Sequence, residues 1–257
     1  MVLANDTEVI VVQDGETHML HTNVDAKDKA ALHEIHSYSV PVPIAVVRSH
    51  LSVYEDDCVQ RLLTRTAGAD LVDGWTKGPE SNGISVVHGR VEGTSWRSLR
   101  TTGKLYVSAE KAARVLMAAN MVPKYDDMTK SVQVIEKLSD ATEVRLASCN
   151  AVLITSPRDL CVTTTVRHEP SGRIVIATRS VDHPAGNRDG YVRALSYISG
   201  YVLTPDPHDP NVCEMALNAH MALGGNMPAF VVRYLGLSAP IKLVEKIREV
   251  VLAAPDH

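Results

Sequence analysis

An α+β fold, in which about nine antiparallel strands are closed by one long terminal helix, is what three features of this chain predict. The first lies in residues 226–251. Met227, Phe230, Val231, Tyr234 and Leu237, then Ile241, Val244, Ile247 and Val251, recur at helical spacing, while Arg233, Lys242, Glu245, Lys246, Arg248 and Glu249 take the other face. The second is residues 131–223, where short runs with period-two patterning are separated by turns rich in Pro, Gly, Asp and Asn. Those connections are too short for parallel crossovers. The third is a pair of further helical patterns, one ahead of the strands and one inserted among them. A strand-rich body of this kind needs its terminal helix to cover an apolar sheet face.

Taken in order, residues 1–43 read as an N-terminal extension, partly helical or disordered. Within it, 8–13 is a candidate strand before an Asp14-Gly15 turn, and 25–36 has helical composition until Pro41 and Pro43 break the pattern. His33 and His36 stand one helical turn apart, with His18 and His21 upstream. No Cys or well-spaced carboxylate set completes a metal site there, and none is expected. From Ala45 onward, Val47, Leu51, Tyr54, Cys58 and Leu62 form a stripe opposite Arg48, Glu55, Asp56, Gln60, Arg61 and Arg65, a helix that Gly68 ends. Strands are expected at 69–77, 84–91 and 98–107. Ser108 then caps a helix that reaches to about residue 120, with Glu110 in its first turn facing the helix dipole. After an irregular stretch at 121–130, strands are expected at 131–138, 143–153, 160–167, 174–180, 191–203 and 212–223. Pro240 divides the last helix, so a kink or restart belongs near Ser238, whose hydroxyl could cap the second half.

Composition narrows the function. Apolar residues make up 45% of the chain but aromatics only 4%, with a single Phe, so the interior is built from Val, Leu, Ile, Ala and Met. Such side chains suit close packing, and they suit lining a cavity for an apolar ligand equally well. A net charge of −4 without a basic run argues against nucleic acid and against strong electrostatic docking to anionic membranes. Cys58, Cys149, Cys161 and Cys213 are far apart, form no paired metal spacing and are expected to be reduced. No eighteen-residue apolar run and no signal-peptide pattern is present, so a soluble, cytoplasmic protein is expected. Neither a dinucleotide fingerprint nor a P-loop occurs, and Ser156 lacks a Gly-x-Ser-x-Gly elbow; no catalytic residue is expected.

A resemblance adds to this. In order, the chain carries Asp73-Gly74-Trp75, Gly83-Ile84-Ser85-Val86-Val87, Lys124-Tyr125-Asp126-Asp127 and Ser156-Pro157-Arg158-Asp159. Then come Ser180-Val181-Asp182-His183-Pro184, Tyr191-Val192-Arg193-Ala194, Gly200-Tyr201-Val202-Leu203 and Gly224-Gly225-Asn226-Met227-Pro228. In this order and spacing they resemble the START (steroidogenic-acute-regulatory-related lipid transfer) domain from about Ala45 to Val251, which places the domain at 44–254. The resemblance implies a helix-grip fold: a curved antiparallel sheet around the C-terminal helix, enclosing a hydrophobic tunnel for one lipid. Sterol, sphingolipid and phospholipid are the classes it implies, carried or sensed without bond chemistry and without a cofactor. The terminal helix would loosen at a membrane to let the lipid pass. Expected partners are therefore a lipid ligand and a transient membrane contact, with the chain a monomer in the cytoplasm or peripheral to membranes. A lipid-gated interaction module, or an acyl-processing enzyme on the same fold, are the alternatives.

The resemblance also points to residues. Cholesterol-type relatives place an acid just before the aromatic of the 124–127 string and an arginine a few residues into the strand after Pro-Arg-Asp. Those positions hold Lys124 and Thr164 here, so both partners of that ion pair are absent, although Thr164 still offers a hydroxyl. Ceramide-type relatives carry a carboxylate after the aromatic, where Asp126 stands, and an amide at the position of Thr178. Asp126, Thr164 and Thr178 are thus candidate polar contacts at the tunnel end, since a buried hydroxyl left unpaired costs roughly 1–3 kcal/mol. Asp126 can equally cap a turn, and the threonines can simply form strand. Arg193 shares a face with Tyr191, Leu195 and Tyr197 and, if buried, needs a carboxylate such as Asp182 or Asp159. Arg193 and Tyr197, with Phe230 and Tyr234 of the last helix, complete the tunnel candidates. Leu153 and Ile154 precede the Thr155-Ser156-Pro157 turn, a loop that touches membranes in relatives, and are the candidate membrane contacts.

Overall fold

The computed structural model describes residues 9–13, 16–20, 26–37, 40–151, 154–186, 188–225 and 227–255. The chain divides into two compact units, Met1–Ser37 and Tyr38–His257. The first contains an antiparallel hairpin, β1 (Val9–Gln13) with β2 (Glu16–Leu20), followed by α1 (Ala26–His36).

The second unit begins with β3 (Val42–Pro43), α2 (Ile44–Ser49) and α3 (Leu51–Ala67). Periodicity predicts one helix here, but His50 (φ −131°, ψ 41°) leaves the helical region and splits it. Three strands follow: β4 (Thr76–Ser81), β5 (Ile84–Gly89) and β6 (Ser98–Leu105). The expected strand at 69–77 begins late, because Arg65 holds Asp70 with two 2.9 Å bonds and the chain turns before it can extend. As the first strand of the sheet path, β4 tolerates Pro79 at a bulge between Lys77 and Glu80. Next come α4 (Ala109–Met117) and α5 (Val122–Tyr125), the latter a short helix where irregular chain is expected. Ser108 caps α4 as predicted, its hydroxyl accepting from the Lys111 N–H at 3.2 Å.

The remaining strands are β7 (Thr129–Lys137), β8 (Thr142–Cys149), β9 (Arg158–His168), β10 (Ile174–Asp182), β11 (Val192–Arg193), β12 (Leu195–Pro205) and β13 (Cys213–Ala222). They join one curved, open sheet in the order β4-β5-β6-β13-β12-β10-β9-β8-β7, whose nine strands are antiparallel as expected. Two short strands, β3 and β11, add parallel pairs to β10 and β9.

The chain ends in α6 (Ala229–Leu237) and α7 (Ala239–Ala253). The break falls at Ser238, as Pro240 predicts, and the proline sits in the first turn of α7, where its missing N–H is no loss. Ser238 does not cap α7 through its hydroxyl: its own backbone is helical (φ −97°, ψ −37°), so the side chain does not face the orphan amides. Among the described residues no helix is long and apolar enough to cross a membrane.

Helices lie on both faces of the sheet. On one face α3 buries Tyr54, Cys58 and Leu62, the predicted stripe, at 0–1% exposure. On the other, Val244, Ile247 and Val251 of α7 pack with α4 against Ile84, Leu105, Ile174, Leu203 and Met215. Each such aliphatic side chain contributes about 1.5–3 kcal/mol by leaving water, so α7 is a structural element of the core over its whole length.

Candidate functional site

The two faces of the sheet differ in how completely they are filled. Along β12 from Ile198 onward, Ile198, Gly200 and Val202 are buried, while Ser199 and Tyr201 between them are only half-buried. Along β13, Asn218 and His220 are buried, while Leu217, Ala219 and Met221 are half-buried. The sealed set faces α3. Asn218 donates to Thr66 Oγ1 at 2.8 Å, and a Cβ built on Gly200 would touch Leu62. The half-buried set faces away from α3, and it runs toward the end of the sheet where β13 leads into α6.

The α3 face holds a buried polar network. Tyr54 and Thr163 hydroxyls lie 2.7 Å apart, and Arg179 donates to Asp57 at 3.1 Å. Arg65 donates through Nη1 to His220 Nδ1 at 2.6 Å, so the imidazole accepts there and donates from Nε2 to the Trp96 carbonyl at 3.2 Å. That arrangement requires neutral His220. Burial, then the Arg65 charge, push its pKa down to about 4 from the ordinary 6.5. The folded state thus excludes a proton that the unfolded chain binds between those values, so stability is intact above about pH 6.5 and is lost as pH falls toward 4. Urea titrations should show wild type losing up to roughly 3 kcal/mol more than His220→Gln between pH 7 and pH 4. Equal losses would place the acid sensitivity elsewhere.

The opposite face carries a polar row beside its apolar side chains. Glu143 on β8 pairs with Thr164 on β9, Thr164 with Thr178 on β10, and Thr178 with Ser199 on β12. Cross-strand partners share a face, so these four side chains stand side by side. Thr164 and Thr178 hydroxyls are 3.5 Å apart, and Ser196 donates to Ser199 at 3.0 Å. Arg145, two residues along β8 and 6% exposed, donates from Nε to Glu143 at 2.5 Å and from Nη2 to the Met117 carbonyl. Tyr125, in α5, bonds the Leu116 carbonyl at 3.3 Å and meets the Tyr201 hydroxyl; burial raises both phenols.

The structure brings together Thr164 and Thr178 and separates the other tunnel candidates from them. Asp126 turns its carboxylate into its own loop, accepting from the Met128 N–H at 3.0 Å and the Thr129 hydroxyl at 2.6 Å. It caps a turn, and burial pushes its pKa up against the pull of those bonds. Arg193 gives both arms to Asp159, at 2.9 Å each, and one also to the Gly186 carbonyl; this is the carboxylate pairing its sequence context calls for. Tyr197 leaves the face that alternation assigns it, because a bulge between Ser196 and Ile198 turns its ring onto His220, stacked at 4.6 Å on the α3 side. Phe230 and Tyr234 point outward, at 55% and 40% exposure, while Val231 of the same helix is buried. Nearly every residue of α6 is apolar, so its periodicity does not choose a face. Ile154 is 80% exposed; Leu153 lies outside the described residues.

Sequence reasoning misses the Glu143–Arg145 pair. Charges at alternate positions with Val144 and Leu146 between them read as a solvent face. They face inward here because both faces of the sheet are covered.

The chain's likenesses agree with this architecture. The START domain family model matches residues 56–251. The StAR-related lipid transfer protein 5 of Homo sapiens and that of Pongo abelii are each 26% identical over 172 residues, covering 62% of this chain and 77% of theirs. Among solved structures, human StAR-related lipid transfer protein 5 superposes with a TM-score of 0.72 at 21% identity, covering 80% of this chain and 98% of that one. A STAR-related lipid transfer protein fragment from Xanthomonas axonopodis does so with 0.61 at 21% identity, covering 70% and 99%. At these identities the structural likenesses establish the helix-grip fold.

Proposed function

The chain belongs to the START domain family, and from that premise we propose that it binds one lipid between the sheet and its terminal helices and carries it between membranes. The observation that carries this reading is the asymmetry of the two sheet faces. The half-buried Tyr201, Leu217, Ala219 and Met221 offer an apolar lining that the protein's own side chains leave incompletely covered, which supports an enclosed lipid site. The row Glu143–Thr164–Thr178–Ser199 supplies the few polar groups that orient a ligand in such a site. Because Arg145 is already neutralised by Glu143, the row suits an uncharged hydroxyl headgroup better than a phosphate, which would have to break that pair. That the relatives are named lipid transfer proteins supports carriage without bond chemistry.

Native mass spectrometry of the purified chain, followed by lipid extraction, tests the reading. One co-purifying lipid at one-to-one stoichiometry is expected. A chain that arrives empty and takes up no sterol, ceramide or phospholipid from vesicles overturns it. A Thr164→Val, Thr178→Val double variant should weaken a hydroxyl-bearing lipid by about 5- to 150-fold, the loss that follows from leaving a buried hydroxyl unpaired. Unchanged affinity would remove the threonines from the site.

Membrane contact belongs to the same reading. Ile154, Phe230, Val232 and Tyr234 are all exposed. The loops they adjoin are neighbours, since Arg158 bonds carbonyls of both Ser156 and Leu223. This apolar surface is of the kind that inserts between headgroups.

A further inference from the structure

We propose that Arg158 is the latch that keeps α6 closed over the site: one guanidinium fastens both loops that border the helix, and its release lets α6 swing about Gly224 and Gly225. The inference rests on the reading of α6 as a lid over a lipid site. Arg158 is 7% exposed and donates in three directions. Nη1 bonds the Ser156 carbonyl, in the loop that bears Ile154, while Nε bonds the Leu223 carbonyl at 3.2 Å and Nη2 the Gly224 carbonyl at 3.3 Å. Among the described residues it forms no ion pair, in contrast to the adjacent Asp159, which takes both arms of Arg193. A guanidinium held by neutral carbonyls, two of them at long range, is a weaker fastening than a carboxylate pair and can open without stranding a buried anion.

The hinge lies at the same point. Gly224 and Gly225 follow β13 with φ of +63° and +61°, two successive residues in the left-handed region just before α6. A Cβ on Gly224 would fall 2.6 Å from the Arg193 carbonyl, so this glycine is seated against β11 when the lid is shut. Gly225 is open on that side, its nearest neighbours being Val192 at 3.4 Å and the Arg158 Nη2 at 3.6 Å. Paired glycines absorb the backbone rotation of a swinging helix at little steric cost. A bilayer that draws in Ile154 and Phe230 would pull on two arms of one side chain.

Hydrogen exchange of the lipid-free full chain tests the latch. Arg158→Lys keeps the charge but cannot reach both loops; amides of residues 229–237 should exchange about tenfold faster, with those of β9, β10 and α7 unchanged. Gly225→Ala, which disfavours the left-handed conformer but meets only ordinary contacts, should act on the same amides and keeps the idea testable if the lysine variant fails to fold. Unchanged exchange in α6 overturns the latch, and so does exchange that rises throughout the sheet, which would make Arg158 a support of the fold alone. Because the readout needs no lipid, an empty protein leaves this test standing. A chain that loads lipid while α6 stays indifferent to either variant overturns the latch without touching lipid binding.

Discussion

A Gly200→Ala variant is expected not to fold. Gly200 lies opposite Ala177 in the β10–β12 ladder with φ of +138°, a backbone conformation that L side chains rarely adopt. An added Cβ would be driven into the Ile176 carbonyl oxygen and would stand 3.2 Å from Leu62 of α3. The Ile176 carbonyl cannot withdraw, since β10 and β12 are each bonded to strands on both sides. The clash with backbone, added to the strained φ, should exceed about 4 kcal/mol, a large share of the roughly 5–15 kcal/mol that holds a domain together. Far-UV circular dichroism and soluble yield report the outcome directly. Gly236→Ala, where a Cβ meets nothing within 4 Å and adds helix propensity, is the matched control and should be neutral or slightly stabilising. A folded Gly200→Ala chain within 1 kcal/mol of wild type would mean that the two strands are less tightly paired than their register indicates.

Ile154→Asp combined with Phe230→Asp is expected to slow lipid transfer between vesicles by about 10- to 100-fold while leaving the amount of lipid bound at equilibrium unchanged. The two side chains are 80% and 55% exposed, so they contribute little to the fold. Their burial in a bilayer would be worth about 1.5–3 kcal/mol each at most, and a carboxylate in the same place opposes insertion. Transfer kinetics and equilibrium loading are therefore predicted to separate. If both fall together, the residues line the ligand site, the role the sequence reading gives Phe230 and not Ile154. If neither changes, α6 and the 154–156 loop do not meet the membrane.

Much of the architecture is legible from local pattern. The nine antiparallel strands, though not their order, the stripe of Tyr54, Cys58 and Leu62, the cap at Ser108 and the break near Ser238 all follow from hydrophobic period, turn residues and proline chemistry. Those signals act within a few residues of themselves. The ordered strings around Asp73, Pro157, Ser180 and Gly224 carry the family for the same reason. They mark turns, ladder ends and hinge points whose backbone demands are local.

The site is another matter. Which face of the sheet a strand residue takes depends on a bulge that one residue creates, and Tyr197 lies on the α3 side because of it. A helix as uniformly apolar as α6 does not announce which way it turns, so Phe230 and Tyr234 are assigned to solvent only by the packing of Val231. Glu143 and Arg145 pass for surface charges until both faces of the sheet are seen to be covered. Arg158 is only one letter of a motif until residues 65 and 66 positions away bring their carbonyls to it. Period and propensity are properties of neighbouring residues and can be read in a line. Facing, partner and enclosure belong to segments far apart in the chain, and only their assembly into one sheet with helices on both sides decides them.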